Sequence, residues 1–245
     1  MYVKFFKKKF FCLIWIIGFI FFNLNLSCAR CLSVEEGLAF LKEYFVNKVK
    51  NLKPGYWIEY KAGKHTYIVA YLGKKKVFGT FCEGLEIAFK NSVSQTWFKS
   101  FKEKLSQGSP LKPFKSVIKI PGSGTICSTP QNFNNLDSLN PSYDIKKEKK
   151  KWIRIIIKRS FYKFPSGKKV GAYYVAIYGK DYKLKKEYWL AYEKVPFGLL
   201  KEKEKGEVVL EAVKYGFNYK PKITKKDLLN CQKAPFIPGM PGAGF

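Results

Sequence analysis

A side-chain period of two, recurring from about residue 56 onward, constrains this chain more than any other feature. Trp57, Glu59 and Lys61 alternate with Tyr56, Ile58 and Tyr60. Tyr67, Val69 and Tyr71 alternate with Ile68, Ala70 and Leu72, and Leu85, Ile87 and Phe89 with Glu86, Ala88 and Lys90. Successive side chains of an extended strand point to opposite faces, so this alternation predicts antiparallel strands with one packed face. Turns are expected at Ala62-Gly63-Lys64 and Gly73-Lys74-Lys75. Phe114 to Ile120 reads as a further strand. Five more are expected at Trp152 to Ser160, Ala172 to Tyr178, Glu187 to Tyr192, Leu199 to Lys203 and Val208 to Tyr215. Connections as short as Lys205-Gly206 join nearest neighbours, which implies a meander.

Two segments carry the helical period instead. Ser33-Val34-Glu35-Glu36 is a capping box opening Leu38, Leu41, Phe45 and Val49, which predicts an amphipathic helix over residues 34 to 51, stopped by Lys53-Pro54-Gly55. Val93, Trp97, Phe101 and Leu105 recur every four residues and predict a second helix from Ser92 to Leu105. Residues 121 to 149, rich in Gly, Ser, Asn and Pro, read as one long loop tethered through Cys127, and residues 233 to 245 as an extended, mobile Pro/Gly tail. The expected fold is therefore α+β: a curved, mostly antiparallel, half-barrel-like sheet with two amphipathic helices packed on it.

The amino terminus reads as an address. Lys4, Lys7, Lys8 and Lys9 precede an uncharged apolar run from Phe10 to Phe22, which is the layout of a secretory signal. That run falls short of the roughly 20 apolar residues needed to span a bilayer. Ser27-Cys28-Ala29 suits cleavage after Ala29, giving a signal over residues 1 to 29 and a single secreted domain over 30 to 232. Two alternatives stay open: Leu26-Ser27-Cys28 resembles a lipobox that would anchor the chain through a lipidated Cys28, and the apolar run could remain as an anchor. Export to the periplasm or cell envelope is the expectation.

Outside Cys12 and Cys28, the cysteines are Cys31, Cys82, Cys127 and Cys231. An even number in an exported chain predicts two disulfides. Chain termini often lie close together, which favours Cys31 with Cys231 and Cys82 with Cys127.

Lys plus Arg number 46 against 18 Asp plus Glu, a formal net charge of +28. So strong a positive field suits anionic surfaces. The basic residues are nearly all lysine and are scattered along the chain; only Arg30, Arg154 and Arg159 carry the guanidinium fork favoured for phosphate and base recognition. Nucleic acid is therefore disfavoured as a partner. So much lysine beside Phe, Tyr, Ile and Asn first reads as a solvated surface set by codon usage or growth temperature; an anionic membrane surface or envelope polymer comes next, and the oligomeric state stays open.

Catalytic chemistry finds little support. His65 is the sole histidine and sits in a Gly-Lys-His-Thr turn, the position of a solvated side chain. Glu59, Glu83, Glu86 and Glu193 could pair for acid–base work, yet on period-two strands such acids more simply meet lysines. Pro121-Gly122-Ser123-Gly124-Thr125 lacks the following helix that a phosphate cradle uses. No metal or other cofactor is implied, and the expectation is a protein that binds rather than catalyses.

Trp57-Ile58-Glu59-Tyr60, Pro165-Ser166-Gly167 and the stretch from Trp189 through Val195-Pro196-Phe197-Gly198-Leu199-Leu200-Lys201 together resemble a group of exported, β-rich bacterial proteins. Over residues 54 to 216 that group is similar in architecture to the periplasmic lipoprotein carriers of the LolA and LolB type. The resemblance implies a curved sheet that wraps apolar ligand tails against helices. On that reading Trp57, Trp97, Trp189 and Phe197 line a groove for a lipid or acyl chain, with lysines at the head group. The second reading is an envelope-interaction protein with a filled core and a basic surface on anionic polymers or lipids.

Overall fold

The computed structural model describes residues 29–106, 112–129, 145–146, 148–233 and 237–238. The signal segment, Cys28, most of the 121–149 loop and nearly all of the tail lie outside these residues; Ala29 is described, and exposed.

In chain order the elements are β1 (Arg30–Leu32), α1 (Val34–Lys50), β2 (Trp57–Ala62), β3 (His65–Val77), β4 (Thr80–Ala88), β5 (Val93–Phe98), α2 (Phe101–Ser106), β6 (Lys115–Ile120) and β7 (Gly124–Thr129). After a 3-10 turn at Lys149–Lys151 follow β8 (Trp152–Lys163), β9 (Lys169–Gly179), β10 (Leu184–Ala191), β11 (Leu199–Glu204) and β12 (Glu207–Gly216), then α3 (Lys225–Lys233) and β13 (Ile237–Pro238). One curved, unclosed sheet takes all thirteen strands in the order β1-β8-β9-β10-β11-β12-β2-β3-β4-β5-β6-β7-β13. Every pair is antiparallel except β13 on β7. The two meanders, β8 to β12 and β2 to β7, join where β12 pairs with β2.

The concave face closes on α1. Ser33 caps this helix as its sequence requires: the Glu36 N–H donates to Ser33 Oγ at 3.2 Å, and the Ser33 N–H donates back to Glu36 Oε2 at 2.9 Å. The helical period then sends Leu41, Tyr44, Phe45 and Val49 into the core, among Ile58, Tyr60 and Val69 of the first meander and Tyr188, Leu190 and Leu199 of the second. Hydroxyls pin this contact. Tyr44 Oη lies 2.8 and 3.0 Å from the Ala191 and Gly198 carbonyls, and Tyr60 Oη donates to the Leu199 carbonyl at 2.9 Å. Burial pushes both phenols well above their usual range.

The convex face is covered over β3 to β7 by the segment after β12. Glu86, fully buried on β4, accepts from Gln95 Nε2 (2.7 Å), Tyr219 Oη (2.6 Å) and the Lys222 and Ile223 N–H groups (3.0 and 3.4 Å). Thr224 then caps α3, its Oγ1 accepting the Asp227 N–H at 3.3 Å, while Asp227 Oδ2 takes the Thr224 N–H at 2.8 Å and Lys119 Nζ at 3.0 Å. Cys127 on β7 is disulfide-bonded to Cys231 on α3, and Ile223, Val117 and both sulfurs share one apolar cluster.

Three expectations are corrected. Residues 92 to 105 do not form one helix: Val93–Phe98 is a strand and only Phe101–Ser106 is helical. A spacing of four is also a multiple of two, so Val93 and Trp97 share a strand face as readily as a helix face, and Gln95 and Trp97 pair with Glu86 and Gly84. The loop expected from residue 121 contains β7, and the tail contributes β13 beside it. Cys31 and Cys82 are free thiols, Cys31 exposed and Cys82 buried. The strand order forbids the expected disulfides. Cys31 lies on β1, at the opposite end of the order from β7, where Cys231 docks. Cys82 on β4 is three strands from Cys127, about 14 Å at the usual spacing, against the roughly 6 Å between Cα atoms that a disulfide bridges.

Candidate functional site

The four expected groove residues do not converge. Phe197 is buried in the main core, in the left-handed conformation of the β10–β11 turn, beside the Gly198 carbonyl that Tyr44 approaches. Trp97 is 1% exposed on the convex face, packed over Gly84 in the cluster of Leu72, Val77 and Cys82. Trp57 and Trp189 are half-buried, on the sheet's outer face over the other half. Trp57 lies over Gly216, where a Cβ would come within 2.5 Å of its Nε1. Trp189 packs edge-on to Tyr174 at 5.0 Å, with Lys201 and Lys203 Nζ at 5.9 and 5.8 Å from its centroid. The concave face expected to hold an acyl chain is occupied by α1, with Leu41 0% and Phe45 2% exposed.

The candidate carboxylates are likewise dispersed. Glu59 pairs with Lys214 at 3.0 Å, and Glu193 accepts the Gly171 N–H at 2.6 Å. Glu83 accepts Tyr71 Oη and the Lys102 N–H, and strand alternation places it on the opposite face from Glu86. His65 is exposed. Among the described residues no three His, Cys, Asp or Glu side chains group as metal ligands would. Lys48 donates to the Glu193 carbonyl at 2.5 Å; burial lowers its ammonium to about 8, against the pull of Glu193.

A different cluster is brought together by topology. In an antiparallel meander every second turn lies at the same end, so the β9–β10, β11–β12 and β2–β3 turns and the start of β8 form one rim. Backbone bonds join its parts: the Lys180 N–H donates to the Lys151 carbonyl at 3.2 Å, and the Lys205 N–H to the Lys185 carbonyl at 2.9 Å. Four large apolar side chains stand out from this rim, Tyr182 at 68% exposure, Val208 and Val209 at 44% each, and Ile153 at 37%. Exposed lysines surround them: Lys149, Lys150 and Lys151 before β8, Lys180 and Lys183 in the β9–β10 turn, Lys205 and Lys64 in the other two. Tyr182 and Lys205 hold the left-handed backbone at the tips of their turns, φ 60° and 51°, which turns their side chains away from the strand pleat.

Several rim charges are matched. Lys185 reaches Asp181 at 2.6 Å, Lys151 reaches Glu148 at 2.9 Å, and Lys149 reaches Glu35 at 2.7 Å. The hydrogen bond from Lys185 holds the Asp181 carboxyl below its usual range, and that from Lys149 does the same for Glu35. Lysine remains in excess over the rim as over the whole chain. The signal was present in the sequence: Lys180-Asp181-Tyr182-Lys183 and Lys205-Gly206 occupy alternate turns of one meander. Reading them as separate turns concealed that they share one end of the sheet.

Fold and site together define an α+β protein with an open curved sheet, a helix-filled concave face and a lysine-rich apolar rim. The Cys127–Cys231 disulfide is consistent with export to an oxidising compartment. Among the described residues no helix is long and apolar enough to cross a membrane. No family model matches the chain, and no curated protein matches it. The crystal structure of MucB is similar over 79% of this chain and 62% of that one, with 10% identity and a TM-score of 0.35. The chain thus spans about three fifths of the MucB chain's length.

Proposed function

We propose that this is an exported binding protein that rests its rim on an anionic lipid surface. One observation carries the reading: Tyr182, Val208, Val209 and Ile153 protrude from the same end of the sheet, each set among exposed lysines. Apolar tips gain by entering the boundary between head groups and acyl chains, and a tyrosine there keeps its hydroxyl wet. Each nearby lysine adds about 1 kcal/mol at an anionic membrane surface. The supply of such lysines matches the net charge of +28. An acyl chain held inside the curved sheet would require α1 to leave the concave face, so the envelope reading fits the packing better than the carrier reading.

Vesicle co-sedimentation tests this. Phosphatidylglycerol vesicles should retain the protein at 50–150 mM salt while phosphatidylcholine vesicles should not. A Lys180→Glu/Lys205→Glu variant should lose most of the binding, more than about thirty-fold, since the loss of two lysines alone gives that factor and the new carboxylates add repulsion. Tyr182→Ser should weaken it without changing its salt dependence. Equal retention on both vesicle types, or no effect of either variant, defeats the proposal.

A further inference from the structure

A second surface lies at the other end of the same half of the sheet and is independent of the rim. Strand β8 runs for twelve residues and pairs with β9 from Trp152 to Lys163. On its other side β1 covers Ile155, Ile156 and Ile157 and stops at Arg30. Among the described residues no strand lies beside residues 158–163; Arg30 opposite Ile157 sends the preceding chain along this edge, so the inference rests on cleavage after Ala29, which leaves half of β8 as an edge. Alternate backbone N–H and C=O groups of such an edge point outward, ready to accept another strand.

The side chains on this edge specify what could pair with it. Lys158, Arg159, Phe161 and Lys163 are exposed, Phe161 at 70%, the largest exposure of a large apolar side chain among the described residues. Ser160 and Tyr162 are the other two members, and no acid occurs in the stretch. Arg30, where β1 ends, and Lys169, opposite Lys163, are exposed cations as well. A second copy of this chain fits poorly, because antiparallel self-pairing lays three cations from each copy along a seam about 5 Å wide, and like charges across strands repel. Lysines on an edge also serve to keep strands apart. That role alone does not account for a phenylalanine left standing between Arg159 and Lys163.

We propose that residues 158–163 are a docking strand for an extended, acidic segment of a partner protein. The segment enters antiparallel to β8, takes up the ladder where β1 ends, places carboxylates against Arg159 and Lys163, and covers Phe161 with an apolar side chain. Backbone bonds supply the affinity, and the cations select acidic over basic sequences.

Fluorescence anisotropy of a labelled eight-residue peptide alternating Glu with Val or Ile, added to the secreted protein, provides the test. Binding is expected at 50 mM salt, with a lysine-for-glutamate version of the peptide at least about ten-fold weaker. Arg159→Glu/Lys163→Glu should weaken binding about ten-fold or more, Phe161→Ser several-fold, with circular dichroism unchanged. N-methylation of alternate peptide amides should abolish binding, and amides of residues 158–163 should gain hydrogen-exchange protection only with the unmethylated peptide. The inference is overturned if the N-methylated peptide binds as well as its parent, if the charge reversals leave affinity unchanged, or if the acidic peptide does not bind. Retention of both β8 variants on phosphatidylglycerol vesicles separates this outcome from that of the rim.

Discussion

Replacing Glu86 with alanine removes the buried carboxylate that ties β4 to the segment leading into α3. Four donors lose their acceptor: Gln95 Nε2, Tyr219 Oη and the N–H groups of Lys222 and Ile223. They do not lose equally. Gln95 is 1% exposed and Ile223 3%, so neither gains water, although Gln95 keeps a 3.1 Å bond to the Ile223 carbonyl. Tyr219 is half-buried and Lys222 exposed, and both can be rehydrated. Hydrogen bonds to a charged acceptor contribute about 1.5–3 kcal/mol, and a stranded buried donor costs about 1–3 kcal/mol. With two donors stranded and two resolvated, Glu86→Ala should cost about 3–5 kcal/mol. At a urea dependence near 3 kcal/mol per molar, the unfolding midpoint falls by about 1–2 M. Glu86→Gln keeps the shape but turns an amide N–H₂ toward donors, so it should fall between wild type and alanine. Hydrogen exchange should locate the damage in residues 217–233, with the α1 amides protected as before. A Glu86→Ala midpoint within about 0.2 M of wild type, or loss of protection in α1 first, would refute the reasoning.

Other outcomes follow from the same face. Cys127 and Cys231 are 104 residues apart, and closing a loop of that length in the unfolded chain is worth about 4–5 kcal/mol; Cys127→Ala/Cys231→Ala should lower the urea midpoint correspondingly, and an unchanged midpoint rejects the clip. Burial opposes the charge on Asp227, but the Thr224 N–H and hydroxyl and the Lys119 ammonium outweigh it and hold the carboxyl at about 2. Its folded value lies below its unfolded value, so its stabilisation is complete above about pH 4. That stabilisation disappears as pH falls toward 2. Asp227→Asn should flatten this part of the stability–pH curve, and a parallel curve for the variant rejects the cap as its source.

Local patterns carried much of the architecture. The five strands from Trp152 to Tyr215 were legible because each shows its own alternation and each connection is too short to skip a neighbour. The Ser33–Glu36 box was legible because a helix cap involves residues three apart. Val93 to Leu105 was not, since a four-residue spacing serves both periods, and the choice fell to Glu86 and Gly84 on the neighbouring strand.

The candidate site shows the same division. Trp57, Trp97, Trp189 and Phe197 look alike as aromatic residues near strands, yet two lie on the open outer face, one beneath the α3 segment and one in the main core. Alternation says only that neighbours face opposite ways. It does not say which face a helix will cover.

By itself the sequence determined the strands, the capped helix, the meander and the cationic character, because each arises from residues within one or two turns of one another. Tertiary structure alone decided the strand order that joins Cys127 to Cys231, the filling of the concave face by α1, the placing of Tyr182, Val208 and Val209 at one end of the sheet, and the stretch of β8 that no described strand pairs. Those are pairings between distant segments, selected by which apolar faces and hydrogen-bonding edges fit one another, and no local period encodes that choice.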